Sequence, residues 1–291
     1  MSTQKAVCIG INKFTNLPSA TLAGCVNDAN DMALFLQETR GFAESDIIIL
    51  TDAAATKKAV MSALNGFVEL ATAGILDNLV FSFSSHGTQV PDLNGDEQPE
   101  TMGELAGTRV DEAFCTTDLI RKGDVWDPDH LITDDELHDL FSALPLTCQL
   151  EVFLDTCHSG TGLKDMDELL TAGAPRARFL APPSYDAIRT LSAPVTISTT
   201  TLPTIGVSNT TKPFSSAAST AILWAGCRSD QTSADATFGD RPSGAFTYFY
   251  LKNARAHPSA TRGHLLDLIR ADLKSANYAQ LPQLELAATI R

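Results

Sequence analysis

The sequence predicts an open α/β fold in which a mostly parallel sheet is flanked by helices on both faces. Short and nearly continuous apolar runs, which are typical of strands buried on both faces, alternate with longer segments of helical periodicity. The chain has 291 residues, of which 44% are apolar and 19% charged, so it can build one large core. We therefore expect a single domain over residues 1–291.

Five apolar runs are predicted strands, and a shorter run near the carboxyl terminus is a candidate edge strand. The strands are predicted over residues 6–11, 47–50, 79–83, 150–154, 221–225 and, at the edge, 284–287. Helices are predicted over residues 27–38, 57–70, 134–144, 246–256 and 262–275. Gly41 lies where the first helix should end, because glycine readily adopts the left-handed conformation that terminates helices.

Two segments lack periodicity. Residues 88–109 are polar and rich in Asp, Glu and Gly, whereas residues 171–219 are rich in Pro, Ser, Thr and Ala and predict a long exposed loop. Strands continue after that loop, so it does not divide the chain into independent domains. We expect a first region over about residues 1–165, an exposed loop over about 166–215 and a last region over about 216–291.

Composition and charge narrow the classes of function. The formal net charge of −14 gives an average field that repels nucleic acids and anionic membranes and attracts cationic peptides or metal ions. The six cysteines are irregularly spaced, without a C-x-x-C pair, which indicates reduced thiols rather than a zinc site. Neither a signal peptide nor an apolar run of about 20 residues is visible, so a cytoplasmic location is the expectation.

Two predicted strands end in chemically reactive segments. The strand over residues 79–83 is followed by SSHG, and the strand over residues 150–154 is followed by DTCHSG. Because the carboxyl ends of parallel strands meet at one edge of a sheet, His86 and Cys157 should lie close together. An imidazole beside a thiol favours the nucleophilic thiolate, so Cys157 is the predicted nucleophile and His86 its base.

The neighbours of these two residues extend the prediction. Small residues follow Cys157, so backbone N–H groups at the nucleophile, together with that of Gly87, are candidates for an oxyanion hole. His158 is the alternative base, but adjacent residues of an extended chain point to opposite sides. A lone cysteine at a strand end is usually a buried apolar side chain, whereas the pairing with a histidine at one sheet edge favours catalysis.

The two reactive segments resemble the paired histidine and cysteine motifs of the caspase-like peptidases, and the second is similar to the metacaspase form. Three further segments resemble metacaspases: GCVNDA at 24–29, ITDDELH at 132–138 and GCRSDQTSAD at 226–235. The resemblance spans almost the whole chain, with a large-subunit-like and a small-subunit-like region, as in a type I metacaspase without a prodomain and from a prokaryote. It implies a caspase-like fold and a monomeric cysteine endopeptidase that acts on peptides or proteins.

A pocket for Arg or Lys before the cleaved bond needs carboxylates that a guanidinium can meet in bidentate fashion. The resemblance implies that Asp28 and Asp155 supply them and that Cys25 and Ser84 line the walls. Asp155 precedes the nucleophile by two positions and therefore shares its side of the strand. On a purely structural interpretation, Asp28 belongs to the first turn of a helix and Asp155 caps a strand end.

Two other functions remain open at this point. Caspases proper prefer Asp and bind it with arginines, a role for which Arg109 and Arg228 are candidates, and Asn is a related preference. A non-catalytic scaffold that binds a partner or calcium is the second alternative. The presence of both Cys157 and His86 favours an enzyme over the scaffold.

Clustered carboxylates indicate a possible calcium site, since Ca²⁺ takes six to eight oxygen ligands. One cluster is DLNGDE at residues 92–97, whose glycine is misplaced for an EF-hand. The other consists of five aspartates, namely Asp124, Asp127, Asp129, Asp134 and Asp135. The T-x-x-E pattern at residues 133–136 also fits a capping box, which would explain these acids without a metal.

Metacaspases are generally activated by calcium, so the resemblance implies Ca²⁺ as an activating ion bound by Asp111, Asp134 and Asp135. A fourth acid normally follows the nucleophile motif, and here Lys164 stands about there with Asp165 shifted by one position. The resemblance also implies self-cleavage after a basic residue. The sequence does not choose among the candidates Lys164, Arg176, Arg178, Arg189 and Lys212.

Overall fold

The computed structural model of the protein describes residues 3–158, 175–193 and 220–286. The strands within these residues are β1 (Gln4–Gly10), β2 (Ile47–Thr51), β3 (Asn78–Ser84), β4 (Gly87–Pro91), β5 (Val110–Cys115), β6 (Arg121–Lys122), β7 (Val125–Trp126), β8 (Leu131–Thr133), β9 (Gln149–Asp155), β10 (Arg176–Ala177), β11 (Ile222–Ala225), β12 (Ala234–Phe238), β13 (Arg241–Gly244) and β14 (Gln283–Leu286). The helices are α1 (Cys25–Arg40), α2 (Lys57–Thr72), α3 (Asp134–Ser142), α4 (Tyr185–Leu191), α5 (Ala245–Ala256) and α6 (Arg262–Ser275). None of these helices combines the length and the apolar character that a membrane span requires.

The central sheet contains six of the described strands, in the order β14, β11, β9, β3, β1, β2. Strands β11, β9, β3, β1 and β2 are mutually parallel, and β14 pairs antiparallel with β11 at one edge. Strands β4, β5 and β8 form a smaller antiparallel sheet, and β10, β12 and β13 form another. The predicted open and mostly parallel sheet is thereby confirmed.

The core has two parts, one on each face of the central sheet. Val7 and Ile9 of β1 pack into one part, whereas Ala6 and Cys8 pack into the other, because side chains alternate along a strand. Helices α2 and α3 contribute to the first part and α1, α5 and α6 to the second. Helices therefore cover both faces, as the sequence predicts.

The predicted elements are present, with ends displaced by a few residues. Helix α1 ends at Gly41, whose φ of 72° is the left-handed conformation predicted for it. Helix α3 begins with the predicted capping box, in which the Thr133 hydroxyl accepts a hydrogen bond from the Glu136 N–H at 3.2 Å. The last residue of the predicted edge strand, Ala287, lies outside the described residues.

Both segments predicted to be irregular contain ordered structure. Residues 88–91 belong to β4, which pairs with β5. In the second segment, α4 forms and Arg178 is 0% exposed, so the prediction of an exposed loop is wrong for this part. Composition cannot reveal this burial, because the groups that bind Arg178 come from distant parts of the chain. The rest of that segment, residues 171–174 and 194–219, lies outside the described residues.

Candidate active site

The two candidate catalytic residues follow neighbouring parallel strands. Ser84 at the end of β3 is in register with Asp155 at the end of β9, and His86 and Cys157 each stand two residues further along. Both side chains are buried, with exposed fractions of 6% for His86 and 1% for Cys157. The N–H group of Ser233 donates a hydrogen bond to the Cys157 sulfur. The predicted pair therefore lies at one edge of the sheet.

The hydrogen bonds of His86 determine which ring nitrogen can act as a base. Its Nε2 atom lies 2.9 Å from the carbonyl oxygen of Ala20. Since a carbonyl oxygen can only accept, Nε2 carries the hydrogen and donates a hydrogen bond to that oxygen. The Nδ1 atom is buried and has no hydrogen-bond partner among the described residues. Burial lowers the pKa of His86 to about 4, so the imidazole is neutral at neutral pH. Nδ1 is therefore left with a free lone pair that can accept a proton.

The oxyanion-hole donors predicted from the sequence converge on one oxygen atom. The N–H group of Gly87 donates to the carbonyl oxygen of Arg178 at 2.9 Å, and that of Cys157 donates to the same oxygen at 3.3 Å. Gly87 has no space for a side chain, because a Cβ would collide with the Cys157 carbonyl group. The described contacts include no hydrogen bond between the thiol and the imidazole. The backbone of Arg178 instead occupies the site between their strands.

His158 lies apart from the reactive thiol. Its ring packs edge-on against Phe114 of β5, with 4.7 Å between the ring centroids. Burial also lowers the pKa of His158 to about 4, and the carbonyl groups that oppose this shift belong to Thr88 and Ala113. The alternation of side chains along an extended backbone has turned His158 towards β4 and β5. This placement leaves His86 as the better candidate for the base.

The predicted carboxylate pocket contains the side chain of Arg178. Its guanidinium lies 2.7 Å from Asp28, 3.2 Å from Asp155 and 2.9 Å from Asp235, measured between nitrogen and oxygen atoms. The Ser84 hydroxyl accepts a further hydrogen bond from this guanidinium at 2.6 Å. A buried charge is costly unless it is paired and hydrogen-bonded, and this arrangement provides both for the Arg178 guanidinium.

Other groups hold the two predicted carboxylates in position. Asp155 accepts hydrogen bonds from the backbone and the hydroxyl of Thr247, in the first turn of α5, at 3.0 and 2.7 Å. The Ser233 hydroxyl donates to Asp155 at 2.5 Å, and the Ser243 hydroxyl donates to Asp28 at 2.6 Å. At Gly244, a Cβ would collide with Asp155 and with the bound guanidinium. Steric contacts as well as charges therefore define the pocket.

The charges in the pocket are strongly coupled. Burial acts to lower the pKa of Arg178, but Asp155, Asp28 and Asp235 outweigh it and raise that pKa above its ordinary value. Burial raises the pKa of Asp28, an effect that the charge of Arg178 opposes. Burial also raises the pKa of Cys25, whose thiol is near Ser84 and the pocket charges. Cys25 and Ser84 therefore lie beside these charges, and their role in binding a substrate stays a prediction.

Besides Thr247, Ser243 and Gly244, further groups in this site were not predicted from the sequence. They are the carboxylate of Asp235, the backbone and hydroxyl of Ser233, and the carbonyl group of Ala20. Asp235 and Ser233 lie in the segment of residues 226–235 that resembles metacaspases, so a signal for them was present without an assigned role. Ala20 contributes only a backbone atom, which leaves no signal in the sequence.

The arginines considered for an Asp-selective pocket lie elsewhere. Arg228 forms an ion pair with Asp230 at 2.7 Å and its side chain is 40% exposed. Arg109 lies near Gly95, beside the acidic segment. Neither guanidinium is among the groups that contact Arg178 in the described residues.

The acidic residues of the calcium prediction form a separate cluster. Two overlapping sets of carboxylates each have oxygen atoms within 4.8 Å of one another, and they are Asp92, Asp96 and Asp111, and Asp96, Glu97 and Asp135. Burial, together with the charges of Asp134, Asp135 and Asp92, raises the pKa of Asp111 to about 8. The Oδ1 atom of Asp111 is buried and has no hydrogen-bond partner among the described residues. This mutual repulsion and the all-oxygen donor set fit a hard divalent cation.

The cluster differs from the predicted ligand set in its membership. Asp92, Asp96 and Glu97 belong to the DLNGDE segment, which lies close to the predicted ligands Asp111 and Asp135 rather than apart from them. The predicted fourth ligand, Asp165, lies outside the described residues. Of the remaining predicted acids, Asp127 accepts a hydrogen bond from the backbone N–H group of Asp129. Its carboxylate pairs with Lys122 and His130 instead of joining the cluster. The structure therefore brings together two acidic segments that lie apart in the sequence.

Comparison with known proteins gives consistent results for sequence and fold. Residues 4–166 match a family model described as metacaspase, peptidase C14 domain. Over 97% of its length, the chain is 32% identical to Metacaspase-1 of Cryptococcus neoformans and 30% identical to Metacaspase-1 of Mycosarcoma maydis. It covers 62% of the first relative and 69% of the second, so it spans less than two thirds of the first.

Two solved structures have a similar fold. A protein from Geobacter sulfurreducens matches with a TM-score of 0.64 and 24% identity, over 98% of this chain and 93% of the other. Caspase-1 from Spodoptera frugiperda matches with a TM-score of 0.54 and 12% identity, over 98% and 87% of the two chains. At these identities the likeness concerns the fold alone, which is caspase-like.

Proposed function

The chain belongs to the metacaspase family of C14 peptidases, and from this membership we propose that it is a cysteine endopeptidase that cleaves after Arg or Lys. One observation supports the proposed preference for Arg or Lys before the cleaved bond. The buried guanidinium of Arg178 is bound by three carboxylates, while its carbonyl oxygen accepts from the backbone N–H groups of Gly87 and Cys157. An arginine side chain and the carbonyl group of the same residue thus occupy the places that a substrate residue would need.

The pocket favours a cation for electrostatic reasons. An acidic side chain entering beside Asp28, Asp155 and Asp235 would meet like charges in a buried site, at a cost of several kcal/mol. A guanidinium can bond to more than one of these carboxylates at once, whereas a lysine ammonium offers a single charged nitrogen. We therefore expect Arg to be preferred to Lys, and both to be strongly preferred to Asp or Asn.

The proposed reaction uses the groups already described. His86 Nδ1 accepts the thiol proton of Cys157, and the thiolate attacks the substrate carbonyl carbon. The N–H groups of Gly87 and Cys157 stabilise the negative charge that develops on the carbonyl oxygen. His86 then passes the proton to the leaving amine, and water hydrolyses the resulting thioester. A neutral imidazole is the form that this sequence of steps requires.

We further propose that Ca²⁺ stimulates the enzyme by binding to the acidic cluster. Asp92, Asp96, Asp111 and Asp135 would supply oxygen ligands, and the ion would neutralise their mutual repulsion. Strand β4 connects this cluster with the catalytic site, because Gly87 is its first residue and Asp92 follows its last. Ordering of β4 and β5 by a bound ion would thus hold the Gly87 donor in place.

A panel of fluorogenic peptides tests the proposed specificity. Peptides with Arg, Lys, Asp or Asn before the scissile bond are incubated with the full chain, in parallel with calcium and with a chelator. We expect hydrolysis of the Arg and Lys peptides, faster with calcium, and negligible hydrolysis of the other two. Preferential hydrolysis of the Asp or Asn peptide would contradict the proposal, and the absence of any hydrolysis would favour a scaffold.

Substitution in the acidic cluster tests the calcium site. The Asp111→Asn variant keeps the size of the side chain but removes a charged ligand, so we expect calcium to bind at least about 10-fold more weakly. Asp124→Asn is the matched control, since Asp124 is exposed and lies outside both sets of clustered carboxylates. Isothermal titration calorimetry with calcium measures both. Equal affinities for the two variants would show that the cluster is not the site.

A further inference from the structure

The segment that carries Arg178 crosses the site as an extended strand. Arg176 and Ala177 pair antiparallel with Asp235 and Ala234 of β12. The Arg178 N–H donates to the carbonyl oxygen of Ser233 at 3.0 Å. Backbone pairing of this kind is how sheet edges bind extended peptides, with pockets for individual side chains.

Beyond Arg178 the segment changes partner, from β12 to the first residue of β4. The Leu180 N–H donates to the carbonyl oxygen of Gly87 at 2.9 Å, and Phe179 forms a bridge with Gly87. The Phe179 side chain packs in a buried cluster with Cys157 and Cys227. Backbone contacts therefore hold both sides of the Arg178–Phe179 peptide bond, and the Phe179 side chain packs with the candidate nucleophile.

Three kinds of contact meet at this one bond. The Arg178 side chain fills the carboxylate pocket, its carbonyl oxygen accepts from the two oxyanion donors, and Phe179 lies beside the thiol. Arg176 instead donates to the Thr21 carbonyl group, and Arg189 pairs with Asp186 within α4. Of the basic residues described in the segment, Arg178 alone has its carbonyl group on the oxyanion donors.

We propose that the Arg178–Phe179 bond is the chain's own cleavage site, and that residues 176–180 block the active site until this bond is cut. The proposal rests on the proposed function, because it uses the same nucleophile, base and pocket. Of the five basic candidates considered from the sequence, it selects Arg178 over Arg176 and Arg189, whereas Lys164 and Lys212 lie outside the described residues. In the uncut chain, residues 176–180 then occupy the pocket that an external substrate would need.

The cleavage step needs no reactant other than water. The Cys157 thiolate attacks the Arg178 carbonyl carbon, the bond to the Phe179 nitrogen breaks, and His86 delivers the thiol proton to that nitrogen. Water then hydrolyses the thioester, which restores the thiol and leaves a carboxylate on Arg178. Arg178 then ends one fragment and Phe179 begins the other, so the backbone contacts on the two sides of the bond no longer hold one continuous segment in the site. Cleavage therefore turns the blocking segment of residues 176–180 into two chain ends, which can leave the site.

Mapping of the fragment ends tests the proposal directly. The full chain is purified in chelator, and intact mass and amino-terminal sequencing are recorded after calcium is added. We expect one fragment that ends at Arg178 and another that begins at Phe179. The rate constant should not change on dilution, because each chain cuts the segment in its own site. Hydrolysis of an added Arg peptide is measured in the same samples.

Three variants provide the controls. Arg178→Gln should abolish this cut and Arg178→Lys should preserve it at a lower rate, whereas Arg189→Gln should leave it unchanged. Arg178→Gln should also hydrolyse the added peptide without the delay expected of the uncut chain. Should Arg178→Gln fail to fold, the fragment ends of the unmodified chain still decide the matter.

Two outcomes would overturn the proposal while leaving the proposed function intact. One is hydrolysis of the added peptide by a chain whose Arg178–Phe179 bond stays whole. The other is self-cleavage at a different bond, with Arg178→Gln cut as fast as the unmodified chain. If no form of the protein hydrolyses either the peptide or itself, the proposed function fails and this proposal fails with it.

Discussion

In the Cys157→Ala variant, we expect hydrolysis of an Arg peptide to fall by about 10⁴-fold or more, to the background of the assay. The variant removes the sulfur atom that forms the proposed thioester, while the carboxylate pocket and the oxyanion donors remain. Cys148→Ala is the matched control, because Cys148 is also buried but precedes the first residue of β9 and lies outside the site. Initial rates with the fluorogenic Arg peptide measure both variants.

His86→Gln should lower kcat by about 10²–10⁴-fold, which is the usual contribution of a general base. Glutamine can still donate a hydrogen bond to the Ala20 carbonyl group, so the loss reports the missing lone pair at Nδ1. His158→Gln tests the alternative base, and circular dichroism shows whether either variant has lost its fold. A larger loss in His158→Gln than in His86→Gln would show that the base has been assigned wrongly.

A large effect on substrate binding, rather than on the chemical step, is expected for Asp155→Asn in the carboxylate pocket. This substitution keeps the shape of the side chain but removes one of the negative charges that pair with a buried guanidinium. Removing one partner of a buried charge pair costs about 2–5 kcal/mol, which is roughly a 30-fold to several thousandfold decrease in kcat/KM for Arg peptides. The decrease should be mainly in KM, because the pocket binds the side chain and not the reacting atoms.

A surface acid provides the control for this variant. Asp31→Asn breaks an ion pair with Arg241, whose side chain is 53% exposed, and should change kcat/KM by less than about threefold. The peptide panel adds a second criterion, since Asp155→Asn should weaken the preference for Arg over Asn. Unchanged kcat/KM for the Arg peptide in Asp155→Asn would show that the pocket binds something other than the substrate cation.

Much of this fold is encoded in local patterns. Strands such as β3 and β9 are nearly continuous apolar runs because both of their faces are buried, and the run ends where the strand ends. Parallel pairing then brings His86 and Cys157 to one edge, since each follows its strand by two residues. For this reason the placement of the candidate nucleophile, the candidate base and Gly87 at one sheet edge could be predicted without a structure.

The content of the pocket could not be predicted in the same way. Arg178 lies in a segment rich in Pro, Ser, Thr and Ala, a composition typical of exposed loops. Its burial depends on Asp28, Asp155 and Asp235, which are separated from it by more than 20 residues in each case and meet only when the chain folds. No local property of residues 176–180 distinguishes Arg178 from Arg176.

The sequence by itself determined the α/β class, the order of its main elements, and the identity of a cysteine and a histidine at neighbouring strand ends. Those features follow from periodicity and from parallel pairing, which act over short stretches of chain. Only the tertiary structure decided that Asp235 joins the pocket, that two acidic segments form one cluster, and that Arg178 occupies the site. Each of these depends on contacts between distant segments, whose energies are set by burial and charge in three dimensions.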